Sequence, residues 1–593
     1  MHGDPVADPR APVGSPPEPG LRGALLRLRE TLAGSAYPMA LPSAEEARRT
    51  AAALVTQLDD YLLPRLARLD APLLVVVGGS TGAGKSTLIN SLVRARVSAP
   101  GVLRPTTRAP VLVCHPRDLS WFRQGDLLPG LTRTTLPTDD PRTLQLVSAP
   151  ALTPGLAFLD APDIDSVVDA NRALAAQLLA AADLWLFVTT ATRYADAVPW
   201  GLLRTARLRG TVIALVLNRV PWSASDEITA HLSEMLAAQD LGAAPLFVVP
   251  ETEVDGQGLL PEGVTAHLRD WFGRLAADAE ARAGVIRQTL DGALAALHPA
   301  VTGLAAAADE QAVAAQTLDE RVRSAYQAAR HSVEQGLRDG RLLRGEVLAR
   351  WQEFVGGSEL VRSLQARVGR LRDRVTGAAT GRPSPGQELQ TAIESQLVTL
   401  LHGVATEAAE ATYAGWQAHP AGAELLEPAL AGPGPDLPER AERLVRDWQR
   451  AVLDLVRNEG GGRRAAARGA AYAINASALA VMIGVFAATA FIPTGLEVAA
   501  GAGTAVAGQK VLEAIFGDQA VRSLAEKARA DLLARVDALL AEEADRYLVR
   551  IHATGVDADL GAALRRAAAE VESERAGAAL SEGARLSLPG ASG

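Results

Sequence analysis

Residues 79–86 read Gly-Ser-Thr-Gly-Ala-Gly-Lys-Ser, which matches G-x-x-x-x-G-K-[ST] at every fixed position. The glycines let backbone N–H groups wrap around a polyphosphate, and the following helix directs its positive N-terminus at the same charge. In this pattern Lys85 neutralises the β- and γ-phosphate oxygens, and the hydroxyl of Ser86 ligates Mg²⁺. The segment therefore predicts a site for a nucleoside triphosphate with Mg²⁺. Its predicted lining residues are Gly79, Ser80, Thr81, Gly82, Ala83, Gly84, Lys85, Ser86 and Thr87.

A phosphate loop does not by itself distinguish a GTPase from an ATPase. The continuation Leu88-Ile89-Asn90 resembles that of translation-factor-class GTPases. A short apolar run ends in Asp160, and the next residue is Ala161 rather than the glutamate that transporter ATPases use as a base. The Leu-Ser-Gly-Gly-Gln signature of those ATPases occurs nowhere in the sequence. These features favour GTP and leave ATP open.

The segment between the phosphate-loop helix and the next apolar run has the position of a first nucleotide switch. Residues 104–110 read Arg-Pro-Thr-Thr-Arg-Ala-Pro. A switch threonine closes over Mg²⁺ and the γ-phosphate, and Thr107 matches that role better than Thr106. We therefore expect Thr107 to act both as a metal ligand and in catalysis.

Asp160-Ala-Pro-Asp163 has the position of a second switch. Asp160 is predicted to hold Mg²⁺ through water. Asp163 stands where related GTPases carry a glycine whose N–H approaches the γ-phosphate, and a carboxylate there adds like-charge repulsion. Either this segment folds differently, or Asp163 or Asp165 orients the attacking water. The sequence thus predicts nucleotide binding more directly than hydrolysis.

Residues 218–221 read Asn-Arg-Val-Pro and have the position of an N-K-x-D base-reading motif. Asn218 can bridge the base and the phosphate loop, and the stem of Arg219 can cover the base. Pro221 replaces the aspartate that reads guanine, and Asp226 or Glu227 can substitute for it only if the loop folds back. Guanine is the predicted base, and adenine remains the alternative.

Composition excludes several other classes of protein. Of 593 residues, 48% are hydrophobic and 21% are charged, so the chain as a whole is neither disordered nor fibrous. The net charge of −9 argues against a nucleic-acid binder. Cys114 is the single cysteine, which excludes an internal disulfide and a zinc site of several thiolates. Residues 1–20 show no secretory signal.

Apolar patterning predicts an α/β domain followed by a helical one. Six short apolar runs alternate with amphipathic stretches, which indicates a mostly parallel sheet with helices on both faces. After about residue 275 the apolar spacing becomes three and four, as in long helices. The predicted organisation is a disordered tail at 1–20, N-terminal helices packing on a stalk at 21–70, a P-loop domain at 71–275, a helical neck and stalk at 276–464, an apolar membrane-interacting hairpin at 465–508, a returning stalk helix at 509–550, and a C-terminal helix and tail at 551–593.

Residues 470–492 form a run of 23 residues without a charge. About twenty apolar residues suffice to cross a bilayer. Arginines at 463, 464 and 468 precede the run, as on a cytoplasmic flank. Alanine contributes little to insertion, however, and small-residue helices also pack inside soluble bundles. A membrane-inserting hairpin is the favoured interpretation, and a buried hairpin is the alternative.

This combination of a GTPase-like domain, a helix before it, a long helical region after it and a late apolar hairpin resembles the bacterial dynamin-like proteins. The motifs that carry the resemblance lie within residues 73–250. In that family the helices pack as a neck and stalk, an apolar tip engages lipid, and nucleotide-dependent pairing of GTPase domains drives membrane remodelling or stabilisation, for example at the division septum. The resemblance assigns phosphate and Mg²⁺ roles to Lys85, Ser86, Thr107 and Asp160, and a base role to Asn218.

The resemblance further implies a slow GTPase that assembles on the cytoplasmic face of the cell membrane. The implied partners are lipids, further copies of the chain through its GTPase domain and stalk, and a paralogous dynamin-like protein. Dynamin carries Gln-Ser where this chain has Thr81-Gly82, so no residue inherits the water-positioning role of that glutamine. Asp163 and Pro221 break two further signatures.

Three other interpretations stay open at the sequence level. A soluble regulatory GTPase needs no membrane segment. A non-hydrolysing, nucleotide-gated scaffold accommodates Asp163 as a degenerate switch. A membrane-tethered ATPase accommodates Pro221.

Overall fold

The structure is a computed structural model that describes residues 20–69, 71–98, 109–123, 127–165, 169–338, 346–347, 349–350, 353, 385–460, 476–489, 512–513 and 516–586. The chain divides into two compact units. Unit one consists of Met1–Tyr37, Ser43–Glu310 and Asp557–Gly593, and unit two consists of Pro38–Pro42 and Gln311–Val556. The first part of the predicted stalk and the C-terminal helix therefore group with the P-loop domain.

Unit one is built on a sheet of eight strands in the described residues. The strands are β1 Leu73–Gly79, β2 Val111–Cys114, β3 Thr132–Thr134, β4 Thr143–Ser148, β5 Leu156–Asp160, β6 Leu184–Thr190, β7 Val212–Val220 and β8 Leu246–Pro250. Their order is β3-β4-β2-β5-β1-β6-β7-β8, and every neighbouring pair is parallel except β2 and β5. All six strands predicted from apolar runs are present.

The helices of the described residues are distributed over both units. They are α1 Leu21–Ala33, α2 Ala44–Gln57, α3 Leu63–Ala67, α4 Lys85–Val93, α5 Leu119–Arg123, α6 Asp169–Ala180, α7 Ala197–Leu208, α8 Ser225–Ala237, α9 Glu262–Ala277, α10 Ala279–Arg338, α11 Pro385–Gln417, α12 Pro420–Ala423, α13 Leu437–Gly460, α14 Ala476–Thr489, α15 Asp518–Ala553 and α16 Leu560–Leu586. A π-helical turn at Leu58–Leu62 joins α2 to α3.

The sheet is covered on both faces because its central strands are apolar at every position. All seven residues of β1 are buried. Successive strand residues point to opposite faces, so the odd-numbered apolar residues of β1 pack with α4 and α9, and the even-numbered ones pack with α5 and α6. A third core joins β6 and β7 to α7 and α8. The predicted α/β fold with helices on both faces is confirmed.

Strands β3 and β4 were not predicted. Thr132–Thr134 is the edge strand and is short, polar and part-exposed, and in Thr143–Ser148, the strand beside it, part-exposed residues interrupt the buried ones. Neither segment gives the continuous apolar run that marks a strand buried on both faces. Because β2 runs antiparallel to β5, the first residue of β2, Val111, lies opposite Asp160 at the end of β5.

A buried ion pair ties the N-terminal helices to the sheet within unit one. Arg65 of α3 and Asp183, just before β6, are 4% and 0% exposed and pair with each other. Asp183 also accepts a bond from Leu74 N–H at 2.7 Å. Because a buried charge is costly without a partner, each ion holds the other in place. Helix α1 packs on α16, where Arg27 bonds Glu570.

In the described part of unit two, an apolar core is formed by helices α11, α13, α14 and α15 together with the later part of α10. Two buried tryptophans join neighbouring helices: the indole N–H of Trp416 donates to Leu318 O at 3.2 Å, and that of Trp448 donates to Ala528 O at 2.8 Å. The long helical region predicted after the P-loop domain is therefore present.

The apolar run at 470–492 is described only in its centre. Helix α14 packs against α13 and α15, and its residues Met482 and Ile483 are fully buried. This is the buried form that the sequence left as the alternative. The remainder of the predicted hairpin, 465–475 and 490–508, lies outside the described residues. Within the described residues, Ala279–Arg338 is long and apolar enough to span a bilayer, and 44% of its most apolar window is buried.

Candidate nucleotide-binding site

The phosphate loop joins the carboxyl end of β1 to the first turn of α4, as the sequence predicts. Gly84 has a φ of +92°, and a Cβ there would lie 2.5 Å from Asn218 Nδ2. At Gly79 a Cβ would lie 2.0 Å from the carbonyl oxygen of Val188. Only glycine fits both positions, since both have a positive φ that residues with a side chain rarely adopt and neither leaves room for a Cβ.

Lys85 is 6% exposed and its ammonium lies inside the loop. It donates to the carbonyl oxygens of Gly79 and Ser80 at 2.9 and 3.3 Å, and to a carboxylate oxygen of Asp163 at 2.5 Å. The lysine that the sequence predicts to bind phosphate thus has an internal carboxylate as its partner. A triphosphate that binds Lys85 must displace Asp163.

The end of β5 places a carboxylate beside the first turn of α4. Ser86 Oγ donates to Asp160 Oδ2 at 2.7 Å, and Ser98 Oγ donates to the same oxygen at 2.6 Å. Asp160 Oδ1 is buried and has no hydrogen-bond partner among the described residues. Burial raises the pKa of Asp160, although the two hydroxyls and the charge of Lys85 oppose this effect.

These groups fit Mg²⁺. The ion prefers oxygen ligands and keeps several waters, and a buried carboxylate oxygen without a donor lies beside the Ser86 hydroxyl. Ser86 and Asp160 would hold the ion, directly or through water. When bound, Mg²⁺ supplies positive charge to the phosphates.

Asn90 has a positioning role that the sequence did not reveal. Its side-chain oxygen accepts from the N–H groups of Val97 and Ser98, each at 2.9 Å, and its amide donates to Ser98 O at 2.7 Å. Asn90 thereby fixes the turn that delivers the Ser98 hydroxyl to Asp160. The only sequence signal was the Leu-x-Asn continuation of the loop.

A second carboxylate and an arginine lie on the front of the loop. Asp165 Oδ1 accepts from both the backbone N–H and the hydroxyl of Thr81 at 2.7 Å. Arg193 donates to Thr81 O at 3.0 Å and pairs with Asp165 at 2.7 Å. Burial alone would raise the pKa of Asp165, but these bonds hold it below its ordinary value. No sequence motif marked Arg193.

The base-side residues lie at the end of β7. Asn218 is 5% exposed and donates to Ala83 O at 2.8 Å, which ties β7 to the phosphate loop. Arg219 follows with a φ of +55°, and its N–H donates to Asn218 Oδ1 at 2.9 Å. Pro221 is exposed beyond the strand. Asp226 and Glu227 lie in the exposed first turn of α8.

The structure thus brings most of the predicted site together. At the carboxyl ends of the interior strands β1, β5 and β7 the structure brings together the phosphate loop, Lys85, Ser86, Thr87, Asp160, Asp163, Asn218 and Arg219. Thr106 and Thr107 lie outside the described residues, so their predicted metal and catalytic roles remain predictions. Ser98, Asp165 in its bond to Thr81, and Arg193 were found only from the structure.

Over part of its length the chain is similar to a GTPase from another organism. No family model matches the chain. A protein of Arabidopsis thaliana described as a probable transmembrane GTPase, FZO-like and chloroplastic, is 26% identical over 158 residues. That match covers 27% of this chain and 16% of the plant protein, so it spans only a small part of that relative.

The chain is similar to bacterial dynamins. One such structure, of an oligomerised bacterial dynamin pair described as a mechanism for long-range sensing and tethering of membranes, is 10% identical with a TM-score of 0.42, and the match covers 93% of this chain and 95% of that one. The LeoA bacterial dynamin GTPase from ETEC is 13% identical with a TM-score of 0.21 over 94% and 96% of the two chains. These structures come from the family that the sequence resemblance named.

Proposed function

We propose that the protein is a dynamin-like GTPase that binds GTP with Mg²⁺, hydrolyses it slowly and uses the cycle to drive self-association and membrane remodelling or stabilisation. The observation that carries the proposal is the convergence of Lys85, Ser86, Asp160 and Asn218 on one glycine-rich loop. These four side chains supply a phosphate cation, a metal ligand pair and a base-side anchor, which together are the minimum set for a P-loop nucleotide site.

The described contacts suggest how nucleotide would act on the fold. The carboxylate of Asp163 accepts a hydrogen bond from the Lys85 ammonium, and that of Asp165 accepts one from the Thr81 N–H. Phosphate oxygens that take over these donors release both aspartates, and with them the segment that follows β5. The segment after β5 would then have two states: one held by the bonds of Asp163 and Asp165 to the loop, and one in which phosphate has replaced those bonds.

The membrane part of the proposal rests on two further observations. Residues 470–492 carry no charge, and the plant relative is described as a transmembrane GTPase. We propose that the protein acts at the cytoplasmic face of the cell membrane, for example at the division septum. Its proposed partners are lipids, further copies of the chain and a paralogous dynamin-like chain.

Nucleotide binding and turnover, measured with and without liposomes, test the proposal. Lys85→Ala is expected to weaken GTP binding by roughly 10- to 100-fold, because charge-assisted bonds contribute about 1.5–3 kcal/mol. Lys527→Ala, at an exposed lysine of α15, is the matched control and should bind normally. Equal GTP affinity and membrane deformation in wild type and Lys85→Ala would contradict the proposal. Competition by ATP reports the base preference.

A soluble regulatory GTPase is the second candidate, and one observation favours it. The described centre of the apolar run is buried in the core of unit two. Liposome flotation separates the candidates: protein that stays at the bottom of the gradient, with or without GTP, supports the soluble one.

A further inference from the structure

Arg193 is an arginine at the phosphate loop that no nucleotide motif accounts for. It lies between the end of β6 and the start of α7, and its side chain is 36% exposed. Its guanidinium donates to the carbonyl of Thr81 at 3.0 Å and pairs with Asp165 at 2.7 Å and Asp196 at 2.9 Å. One positive group therefore contacts both the third residue of the loop and a carboxylate bound to that residue's N–H.

The two aspartates mark where phosphate oxygens would lie. Asp163 accepts from the Lys85 ammonium, which in this loop type contacts the β- and γ-phosphates. Asp165 accepts from the N–H of Thr81, a backbone donor of the loop. Both carboxylates hold donors that a triphosphate needs. The guanidinium of Arg193 is bonded to one of these carboxylates, so it lies one hydrogen bond from the phosphate position.

We propose that Arg193 is a catalytic residue that contacts the γ-phosphate of bound GTP and stabilises the negative charge that develops there during hydrolysis. This inference rests on the proposed function and names a residue for its chemical step. When phosphate oxygens replace Asp165, Arg193 keeps its hydrogen bond to Thr81 O and its ion pair with Asp196. Its contact with the Asp165 carboxylate is replaced by one with the phosphate.

The chemistry requires only charge from Arg193. The water oxygen forms a bond to the γ-phosphorus, the bond from that phosphorus to the bridging oxygen breaks, and its electron pair stays on the β-phosphate of GDP. The proton lost by the water is carried by the released phosphate. An arginine supplied in this way from the same chain stabilises the charge spread over the γ-phosphate oxygens.

Arg193 is suited to that role because it stays charged and its loop is held independently. Burial alone would lower its pKa, but Asp165 and Asp196 raise it above its ordinary value. The Arg193 N–H donates to Thr190 O at 3.0 Å. The indole N–H of Trp200 donates to Tyr194 O at 2.8 Å. Removing the side chain should therefore leave the loop folded.

Single-turnover hydrolysis of Mg²⁺–GTP by the full chain tests the proposal. Arg193→Ala is expected to lower the rate constant by roughly 10³-fold, with affinity for a non-hydrolysable GTP analogue within about threefold of wild type. Arg193→Lys should recover part of the rate, and added guanidinium ion should raise the rate of Arg193→Ala. Arg207→Ala is the control, because it removes an arginine from α7 that pairs at the surface with Asp240.

A binding measurement gives a readout independent of turnover. GDP with aluminium fluoride and Mg²⁺ mimics the planar transferring group. Arg193→Ala should lose most of the preference for this complex over GDP alone, whereas Arg207→Ala should keep it. An unchanged hydrolysis rate, or an unchanged preference, overturns the assignment, and so does a parallel loss of stability and of analogue binding. A wild-type chain that binds GTP without any turnover contradicts the proposed GTPase, and the aluminium fluoride preference then still decides whether Arg193 contacts the γ-position.

Discussion

Asp163 stands where related GTPases carry a glycine in the second switch, and its carboxylate pairs with Lys85, the predicted phosphate-binding cation. It lies 2.5 Å from Lys85 Nζ and is 35% exposed. If a nucleoside triphosphate binds as proposed, the like-charge repulsion expected from the sequence takes a specific form, because Asp163 would compete with the γ-phosphate for Lys85. The segment that contains it must move when a triphosphate enters.

Asp163→Asn should tighten GTP binding. The amide keeps the shape of the side chain and loses the charge that competes for Lys85, and a part-exposed ion pair of this kind is worth about 1 kcal/mol, or roughly fivefold in affinity. Isothermal titration with a non-hydrolysable analogue measures the change, and Asp270→Asn, at an exposed position of α9, is the control. Weaker binding by Asp163→Asn would show that the carboxylate assists the nucleotide instead.

Asp160 should make the metal-free protein less stable as the pH rises. Its folded-state pKa is raised above the ordinary value of 3.8 by burial. Ionisation is therefore harder in the folded than in the unfolded state, and stability is lost as the pH rises from about 3.8 through the raised value. Above that window the free energy of unfolding stays lower.

Asp160→Asn is accordingly expected to raise the free energy of unfolding without Mg²⁺ at pH 7 by about 1–3 kcal/mol, while an amide oxygen still accepts from Ser86 and Ser98. The gain should shrink as the pH falls toward 3.8. Urea denaturation at pH 7 and pH 4.5 measures both effects. Mg²⁺–GTP should stabilise wild type and not the variant; equal stabilisation of both would remove Asp160 from the metal site.

At the scale of elements, the strand–loop–helix unit of β1, the phosphate loop and α4 depends on two contacts of its backbone. Gly84 lies against Asn218 of β7, and Gly79 lies against the carbonyl of Val188 in β6. The loop is thus held by the two strands that follow β1 on one side of the sheet. The glycines of the loop permit its conformation, and contacts with β6 and β7, which are distant in sequence, hold it in place.

Gly84→Ala should damage this unit. The added Cβ meets Asn218 Nδ2 at 2.5 Å and the φ of +92° disfavours alanine, so we expect a loss of about 1–3 kcal/mol in the free energy of unfolding together with weaker nucleotide binding. Gly273→Ala in α9 is the matched control: nothing lies within 4 Å of its Cβ, and alanine favours a helix interior, so its melting temperature should hold or rise. A similar melting temperature in both variants would contradict the bracing role.

Prediction of these elements from sequence succeeded where burial is two-sided and failed at the edge. The run Leu73–Val77 reads as a strand because every residue is apolar, whereas Thr132–Thr134 carries no such signal. The helical half shows the same contrast. Spacings of three and four predict long helices, but they do not tell whether an apolar helix faces protein or lipid.

At the scale of the whole molecule, the membrane proposal requires α14 to leave the core in which the structure buries it. Ile483 is 0% exposed within the core of unit two. In this lipid-free form the apolar residues of α14 are covered by protein, so no membrane is needed to shield them from water. Insertion would require this helix to leave its packing against α13 and α15, which gives the two candidate functions different outcomes in one experiment.

Ile483→Cys is expected to resist maleimide in lipid-free protein and to react at least about tenfold faster with GTP and liposomes together, in keeping with an exposed helix. The native Cys114 is buried and burial raises its pKa to about 12, so it should stay silent. Val549→Cys, at a position 54% exposed, should react at once under every condition. Protection of Ile483→Cys with GTP and liposomes present would favour the soluble candidate.

The sequence by itself determined the phosphate loop, the strand that ends in Asp160 and the position of Asn218, because these features depend on the geometry of contiguous backbone and on burial patterns repeated along a few residues. Only the tertiary structure decided the contacts of Arg193 and Asp165 with Thr81, which lie 112 and 84 residues apart in the chain, and the burial of Ile483. The order of strands brings such residues together, and that order is fixed by how whole elements pack rather than by any local pattern.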